Sequence, residues 1–196
     1  NEKHGRFCFM ECYNDQEVFH ALLKKVEEWV ISKGMVKIVG PLGFSDKDPQ
    51  GFQIEGFEYP LLFTAATNSP YMPVMMEPEG YTKEIDLVNY NLPIPDQLPP
   101  IYVKAYDRYS RNSEVEIIEF HSKKEIKPVI IPVLELMNQT FSGIYGFVPL
   151  NAAEKKEFAS RYLPILDPEF VKVAKANNEF VGFIVALPDM TSGIIA

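Results

Sequence analysis

Two side chains suited to acid–base chemistry follow a loop rich in glycine. The loop covers residues 40–51, and Glu55-Gly56-Phe57 closes it. Glu55 can act as a general base for an amine nucleophile if burial raises its pKa; the alternative is a carboxylate that binds loop N–H groups. Tyr71, in Asn68-Ser69-Pro70-Tyr71, can donate a proton or contact a substrate, or it can be a packing residue with a hydrogen-bonded hydroxyl. We interpret Glu55 and Tyr71 as candidate catalytic residues.

The loop itself is the candidate for substrate binding. Its three glycines, two prolines, two aspartates and one serine cannot continue a strand. Long irregular loops at strand ends commonly carry binding and catalytic groups, although the glycines can also serve only tight turns. The candidate substrate-binding residues are Gly43, Phe44, Ser45, Asp48 and Asn68.

The histidines and cysteines do not predict a metal site. His4, His20 and His121 stand at no metal-ligand spacing from one another or from a cysteine, so we expect no metal. We interpret His20 as a solvated residue on the polar side of a helix. Cys8 and Cys12 lie on one side of a predicted strand, about 13 Å apart, which is too far for a disulfide. Reduced cysteines favour a cytoplasmic location.

The acidic composition argues against two classes of partner. The 196 residues carry a formal net charge of −8. Such a chain lacks the basic footprint of a nucleic-acid-binding protein and has no electrostatic reason to bind an anionic membrane surface. No apolar stretch approaches the length of a membrane span. We therefore expect neither nucleic acid nor membrane as a partner.

A strand, a helix and a second strand must position the loop. Residues 6–13 predict a strand with apolar side chains on both faces. Asn14-x-x-Glu17 fits a capping box at the start of a helix, which Gly34 ends. Residues 35–39 predict the next strand, and this order implies a parallel crossover.

The remainder of the chain predicts a second set of elements. Residues 82–92 predict a strand, and the four prolines of residues 93–100 predict a linker. Further elements are a strand at 115–120, a helix at 132–141, a helix from the capping box Asn151-x-x-Glu154 to about residue 163, and strands at 170–175 and 180–187. Asn177-Asn178 joins the last two strands as a hairpin.

The order of these elements resembles the GNAT acyltransferase fold. The second half resembles its opening half, and the first half resembles its closing half, with Gly80-Tyr81 similar to the Gly-Phe that ends the last helix. Five motifs more specifically resemble bacterial proteins with two tandem GNAT-like domains: Asn14-Asp15-Gln16-Glu17-Val18, Gly40-Pro41-Leu42-Gly43-Phe44, Asp48-x-x-Gly51, Glu55-Gly56-Phe57 and Tyr145-Gly146-Phe147-Val148-Pro149-Leu150.

The resemblance implies an α/β (α+β) fold with a mixed sheet flanked by helices. Residues 1–92 would form the closing half of one GNAT-like domain, residues 93–112 a proline-rich linker, and residues 113–196 the opening half of a second. The chain lacks an initiating Met and stops directly after a strand-like run, so we expect it to be part of a longer protein. We also expect that it can form a homodimer.

The resemblance also implies an activity: transfer of an acyl group from acetyl-CoA or another acyl-CoA to a small-molecule or peptide amine. Two positions depart from active members. The glycine-rich loop that holds the CoA pyrophosphate would fall on residues 12–17, which lack glycine and carry Asp15 and Glu17. The usual general-acid tyrosine would fall on Met76, with Tyr71 the nearest alternative. The second hypothesis is therefore a non-catalytic GNAT-like ligand-binding or interaction module that has lost CoA binding.

Overall fold

The computed structural model of the chain describes residues 3–59, 65–111, 114–188, 190 and 193. These residues combine helices with two small sheets, which confirms the predicted α+β class. The chain divides into two compact units: unit 1 is Asn1–Val88, Gly143–Val148 and Met190–Ala196, and unit 2 is Asn89–Ser142 and Pro149–Asp189. The relation of either unit to a GNAT domain stays a prediction.

Unit 1 contains the predicted parallel crossover. Its elements are β1 (His4–Arg6), α1 (Gln16–Ser32), β2 (Lys37–Val39) and α2 (Tyr71–Met76). β1 and β2 pair in parallel, with His4 opposite Lys37. α1 buries Phe19 and Leu23 against Phe7 and the methionines of α2. Phe7 connects this apolar core to the loop at residues 40–51, because its carbonyl oxygen accepts from Leu42 N at 2.7 Å.

Two predicted strands of unit 1 differ from the structure. β1 ends at Arg6 rather than at residue 13, because Phe9 has a φ of 52°, which an extended strand cannot contain. Phe7 nevertheless donates its N–H to Val39 O at 3.2 Å and accepts from Leu42 N at 2.7 Å. No strand occurs at residues 82–92. Their side chains alternate as in a strand, but no neighbouring strand pairs with their backbone.

The start of α1 also differs from the prediction. Asp15, not Asn14, is the N-cap: its carboxylate accepts from Glu17 N at 2.9 Å and from Val18 N at 3.2 Å. Its charge suits the positive end of the helix. Gly34 follows the last turn with a φ of 71°, as the predicted helix end requires.

The described part of unit 2 contains an antiparallel sheet with the strand order β3-β4-β5. The elements are α3 (Pro100–Arg111), β3 (Val115–Glu119), α4 (Lys123–Ile126), α5 (Ile130–Thr140), α6 (Ala152–Tyr162), a 3-10 turn (Pro168–Phe170), β4 (Val171–Ala176) and β5 (Glu179–Val185). Positive φ angles of 49° at Asn177 and 68° at Asn178 form the predicted hairpin. The Asn151–Glu154 capping box is present with both of its hydrogen bonds.

α3 occupies most of the stretch predicted to be a linker. Its proline, Pro100, is the first helical residue, where the missing N–H has no intrahelical partner in any case. Pro93, Pro95 and Pro99 therefore precede a helix that begins at Pro100, and no proline lies further along the predicted linker.

Candidate functional site

The loop at residues 40–51 is closed by its own backbone. Gly51 N donates to Pro41 O at 2.7 Å, and Gly43 N donates to Pro49 O at 3.3 Å. Leu42 and Gln50 form an antiparallel bridge between the two sides of the loop. These bonds make the loop an ordered element.

Three of the candidate substrate-binding residues take part in holding the loop in shape. Asp48 Oδ2 accepts from Ser45 N at 3.0 Å, and Asp48 N donates back to Ser45 O at 3.1 Å. Ser45, only 6% exposed, also accepts on Oγ from Lys47 N at 3.2 Å. A Cβ on Gly43 would stand 2.1 Å from Asp48 Cβ, so the close approach requires glycine. Phe44, in contrast, is 73% exposed and accessible to a ligand.

A distant segment of unit 1 packs against the loop. Lys47 Nζ donates to Asp46 Oδ1 at 2.7 Å and to Val148 O at 3.1 Å, and it lies 4.2 Å from the centre of the Phe147 ring. Arg6 Nη1 donates to Phe44 O at 2.8 Å. A Cβ built on Gly146 would also stand 3.3 Å from Leu42 Cδ1, so residues 146–148 lie directly against the loop.

Tyr145 adds a phenol to this part of unit 1. Burial, and secondarily the nearby Glu84 carboxylate, raises the pKa of Tyr145, although Lys37 and Arg6 act in the opposite direction. The phenol therefore keeps its proton at neutral pH and can donate it in a hydrogen bond. The sequence marked this tyrosine only as part of a motif.

The remaining candidates occupy different settings. The Glu55 side chain is exposed. Asn68 holds the backbone of Gln53, whose N–H donates to Asn68 Oδ1 at 2.6 Å. Tyr71 donates its hydroxyl proton to Cys12 O at 2.9 Å, the hydrogen-bonded setting that was the alternative to a catalytic role. No hydrogen bond in the described part of the chain joins Glu55 to Tyr71, and their catalytic roles stay predictions.

A polar cluster that the sequence did not predict links α1 to the turn that follows α2. His20 Nδ1 lies 2.6 Å from Glu79 Oε2, and Gln16 Nε2 donates to Glu79 Oε1 at 2.6 Å. The His20 hydrogen bond, followed by that of Gln16, lowers the pKa of Glu79. The ionised carboxylate can only accept, so His20 Nδ1 must carry the proton. In the neutral ring, Nε2 is then the nitrogen that can accept one.

His20 is exposed, in agreement with its interpretation as a solvated residue, but the sequence did not predict its carboxylate partner. The imidazole is 60% exposed, but a carboxylate that is only 11% exposed orients it. The sequence held part of the signal, because Gln16 and His20 are four residues apart and share a helix face. Glu79 lies 59 positions after His20, and no local pattern connects them. We define His20, Glu79 and Gln16 as the His20 cluster.

The start of α1 does not fit a pyrophosphate. The Asp15 carboxylate already accepts from the N–H groups of Glu17 and Val18, which would otherwise face an anion. Among the described residues, no group of three or more His, Cys, Asp or Glu side chains is placed to hold a metal ion. None of the helices in the described ranges has both the length and the apolar character needed to cross a membrane.

Two curated proteins are similar to nearly the whole chain. A protein of Caulobacter vibrioides named bacterial ceramide synthase is 25% identical over 190 residues, which cover 97% of this chain and 49% of that protein. Protein YghO of Escherichia coli is 26% identical over 191 residues, which cover 97% and 48%. The chain spans about half the length of the curated relatives it matches. No family model and no solved structure matches.

Proposed function

We propose that the full-length protein containing this chain is an acyltransferase that forms an amide on the amino group of a long-chain amine. The observation that carries this proposal is the similarity, over 97% of the chain, to a protein named bacterial ceramide synthase. A ceramide is the amide of a fatty acid and a long-chain amino alcohol, so its synthesis from an amine and an activated acyl group is N-acyl transfer. The expected amine acceptor thereby narrows to a long-chain base.

The His20 cluster supplies a proton acceptor for this reaction. An alkyl amine is mostly protonated at neutral pH and must lose a proton to attack an acyl carbon. As the new bond from nitrogen to the acyl carbon forms, the bond from that carbon to its leaving group breaks. The ammonium form of the amine first loses a proton to solvent. The proton released as the amide forms passes to His20 Nε2 and then to the departing thiolate, while Glu79 stabilises the imidazolium through Nδ1.

The loop at residues 40–51 offers an apolar contact to the acceptor. Phe44 is 73% exposed at a position fixed by the Arg6 hydrogen bond to its carbonyl oxygen. Glu55 and Tyr71 remain candidate catalytic residues that would act on the amine acceptor. Acyl-CoA is the expected donor, and its pyrophosphate must be held by residues other than the start of α1, where Asp15 takes the N–H groups.

The test is turnover by the full-length protein. The protein is incubated with sphinganine and a fatty acyl-CoA, and the N-acyl product is measured by mass spectrometry. His20→Gln is expected to lower turnover by roughly 100-fold or more, since a positioned general base contributes about that much. The matched control is His121→Gln, an exposed histidine of unit 2, which should leave turnover unchanged.

The possible results distinguish failure of the acyltransferase proposal from failure of the role assigned to the His20 cluster. The absence of any amide product with fatty acyl thioesters sinks the acyltransferase proposal. Full activity of His20→Gln instead removes only the role of the His20 cluster. Calorimetric binding of a long-chain amine without turnover supports the alternative of a non-catalytic ligand-binding module, which the Asp15 cap also favours.

A further inference from the structure

We propose that α3 and the segment leading into it bind the surface of an anionic lipid membrane. All 12 residues of α3 are described, and none of them is buried. A short helix gains little stability from its own hydrogen bonds and normally depends on burying one face. The exposed faces of α3 therefore call for a partner.

The side chains of α3 divide into two faces. At about 100° per residue, Tyr102, Tyr106 and Tyr109 fall within about 60° of one another on one side of the helix, and Ile101 and Ala105 lie between them and the basic residues. The opposite side carries Lys104, Arg108 and Arg111, with Asp107 as its acidic residue. An aromatic face opposite a basic face is the pattern of helices that lie in the membrane interface.

A hydrogen bond holds this helix beside the sheet of unit 2. Ile117 N in β3 donates to Tyr109 Oη at 3.2 Å. Tyr109 is accordingly the most sheltered aromatic residue of α3, at 36% exposed, whereas Tyr102 and Tyr106 remain 62% and 68% exposed. The more exposed phenols, those of Tyr102 and Tyr106, have the amphipathic character of residues found at the headgroup level of membranes.

The segment before α3 extends the apolar surface. Four large apolar side chains of residues 89–99 are more than half exposed: Tyr90 at 82%, Leu92 at 78%, Ile94 at 92% and Leu98 at 64%. Single exposed apolar residues are ordinary, but a succession of this density marks an interaction site.

Charge selects an anionic lipid surface as the partner. The whole chain has a net charge of −8, yet α3 places three cations and one anion in 12 residues. The expectation that the chain does not bind membranes rested on the net charge of the whole chain. That value conceals the local excess of positive charge on α3. Clustered Lys and Arg residues beside an apolar face are attracted to anionic headgroups over a Debye length or less, so the local distribution decides.

The test measures co-sedimentation of the full-length protein with vesicles, without substrates. One set of vesicles is phosphatidylcholine, and in the other about a third of the lipid is phosphatidylglycerol. We expect binding to the anionic vesicles, lowered at least about tenfold by Lys104→Glu/Arg108→Glu/Arg111→Glu. Tyr102→Ser/Tyr106→Ser should weaken binding to the same vesicles while retaining its salt dependence.

The matched control reverses three other charges of unit 2. Lys124, Lys127 and Lys156 are all exposed, and their replacement by Glu changes the net charge equally. Retained binding of this control, with circular dichroism showing that all variants fold, supports the proposal. Equal binding by the α3 charge variant and the control overturns it. So does strong hydrogen-exchange protection of α3 in the vesicle-free protein, since another part of the protein would then cover the helix.

Discussion

The Lys47 ammonium lies 4.2 Å from the centre of the Phe147 ring and 3.1 Å from Val148 O. Lys47 and Val148 are 101 positions apart. One side chain thus joins the glycine-rich loop to a segment that the chain supplies much later, within unit 1. Both this contact and the backbone hydrogen bonds within the loop hold the loop in place.

Removing the Lys47 charge should destabilise the loop. Lys47→Met takes the ammonium from Asp46, whose side chain is 16% exposed, and from Val148 O. We expect a decrease of about 1–3 kcal/mol in the free energy of unfolding, measured in urea. Lys25→Met is the control: its pair with Glu28 is exposed, so the loss should be smaller. Equal losses would mean that the contact contributes nothing beyond a surface ion pair.

Glycine at position 43 should be required for loop shape. Gly43→Ala places a Cβ 2.1 Å from Asp48 Cβ, and backbone or side chain must move. We expect a loss of about 1–3 kcal/mol by thermal or urea unfolding, as for overpacking elsewhere. Gly143→Ala is the control, because no atom lies within 4 Å of its added Cβ. An unchanged free energy of unfolding in Gly43→Ala would show that the loop accommodates the added Cβ without destabilisation.

The N-cap of α1 can be assigned by two alanine substitutions. Asp15→Ala removes the acceptor of two backbone N–H groups and should lower the free energy of unfolding by about 0.5–2 kcal/mol. Asn14→Ala should have a distinctly smaller effect, because Asn14 is not the cap. A larger loss of unfolding free energy in Asn14→Ala than in Asp15→Ala would instead support the Asn14 capping box predicted from the sequence.

The His20 cluster should give a pH dependence on the acid side. The pKa of Glu79 is lowered in the folded protein, so the unfolded state binds more protons as the pH falls. The stability contributed by Glu79 is fully present above the ordinary glutamate pKa of about 4.3 and is lost as the pH falls through the lowered value. An NMR titration of the Glu79 carboxyl should show the lowered pKa and its return toward the ordinary value in His20→Ala. An unchanged pKa in that variant would contradict the assigned cause.

Local signals predicted the elements whose contacts are local. The Asn151–Glu154 capping box, the Asn177-Asn178 hairpin and Gly34 after α1 each depend on residues within a few positions of one another. Their side-chain oxygens and permissive φ angles act wherever the chain folds. The α+β class followed from these elements and is confirmed.

Signals that need a partner strand or a neighbouring cap were less reliable. Residues 82–92 alternate as a strand does, yet no strand occurs there, since a ladder needs a second chain segment. Asn14 and Asp15 both suit a cap, and the structure selects Asp15. Residues 93–112 read as a linker because of their prolines, but the prolines end where α3 begins.

By itself, the sequence determined the presence of α1 and α6, the capping box of α6, the final hairpin and the loop at residues 40–51 as an irregular element. Tertiary structure decided which side chains meet. Glu79 reaches His20 across 59 positions, and Val148 reaches Lys47 across 101. Hydrogen bonds between such distant residues depend on how the helices and loops pack against one another. Residue types and their local spacing do not reveal that packing.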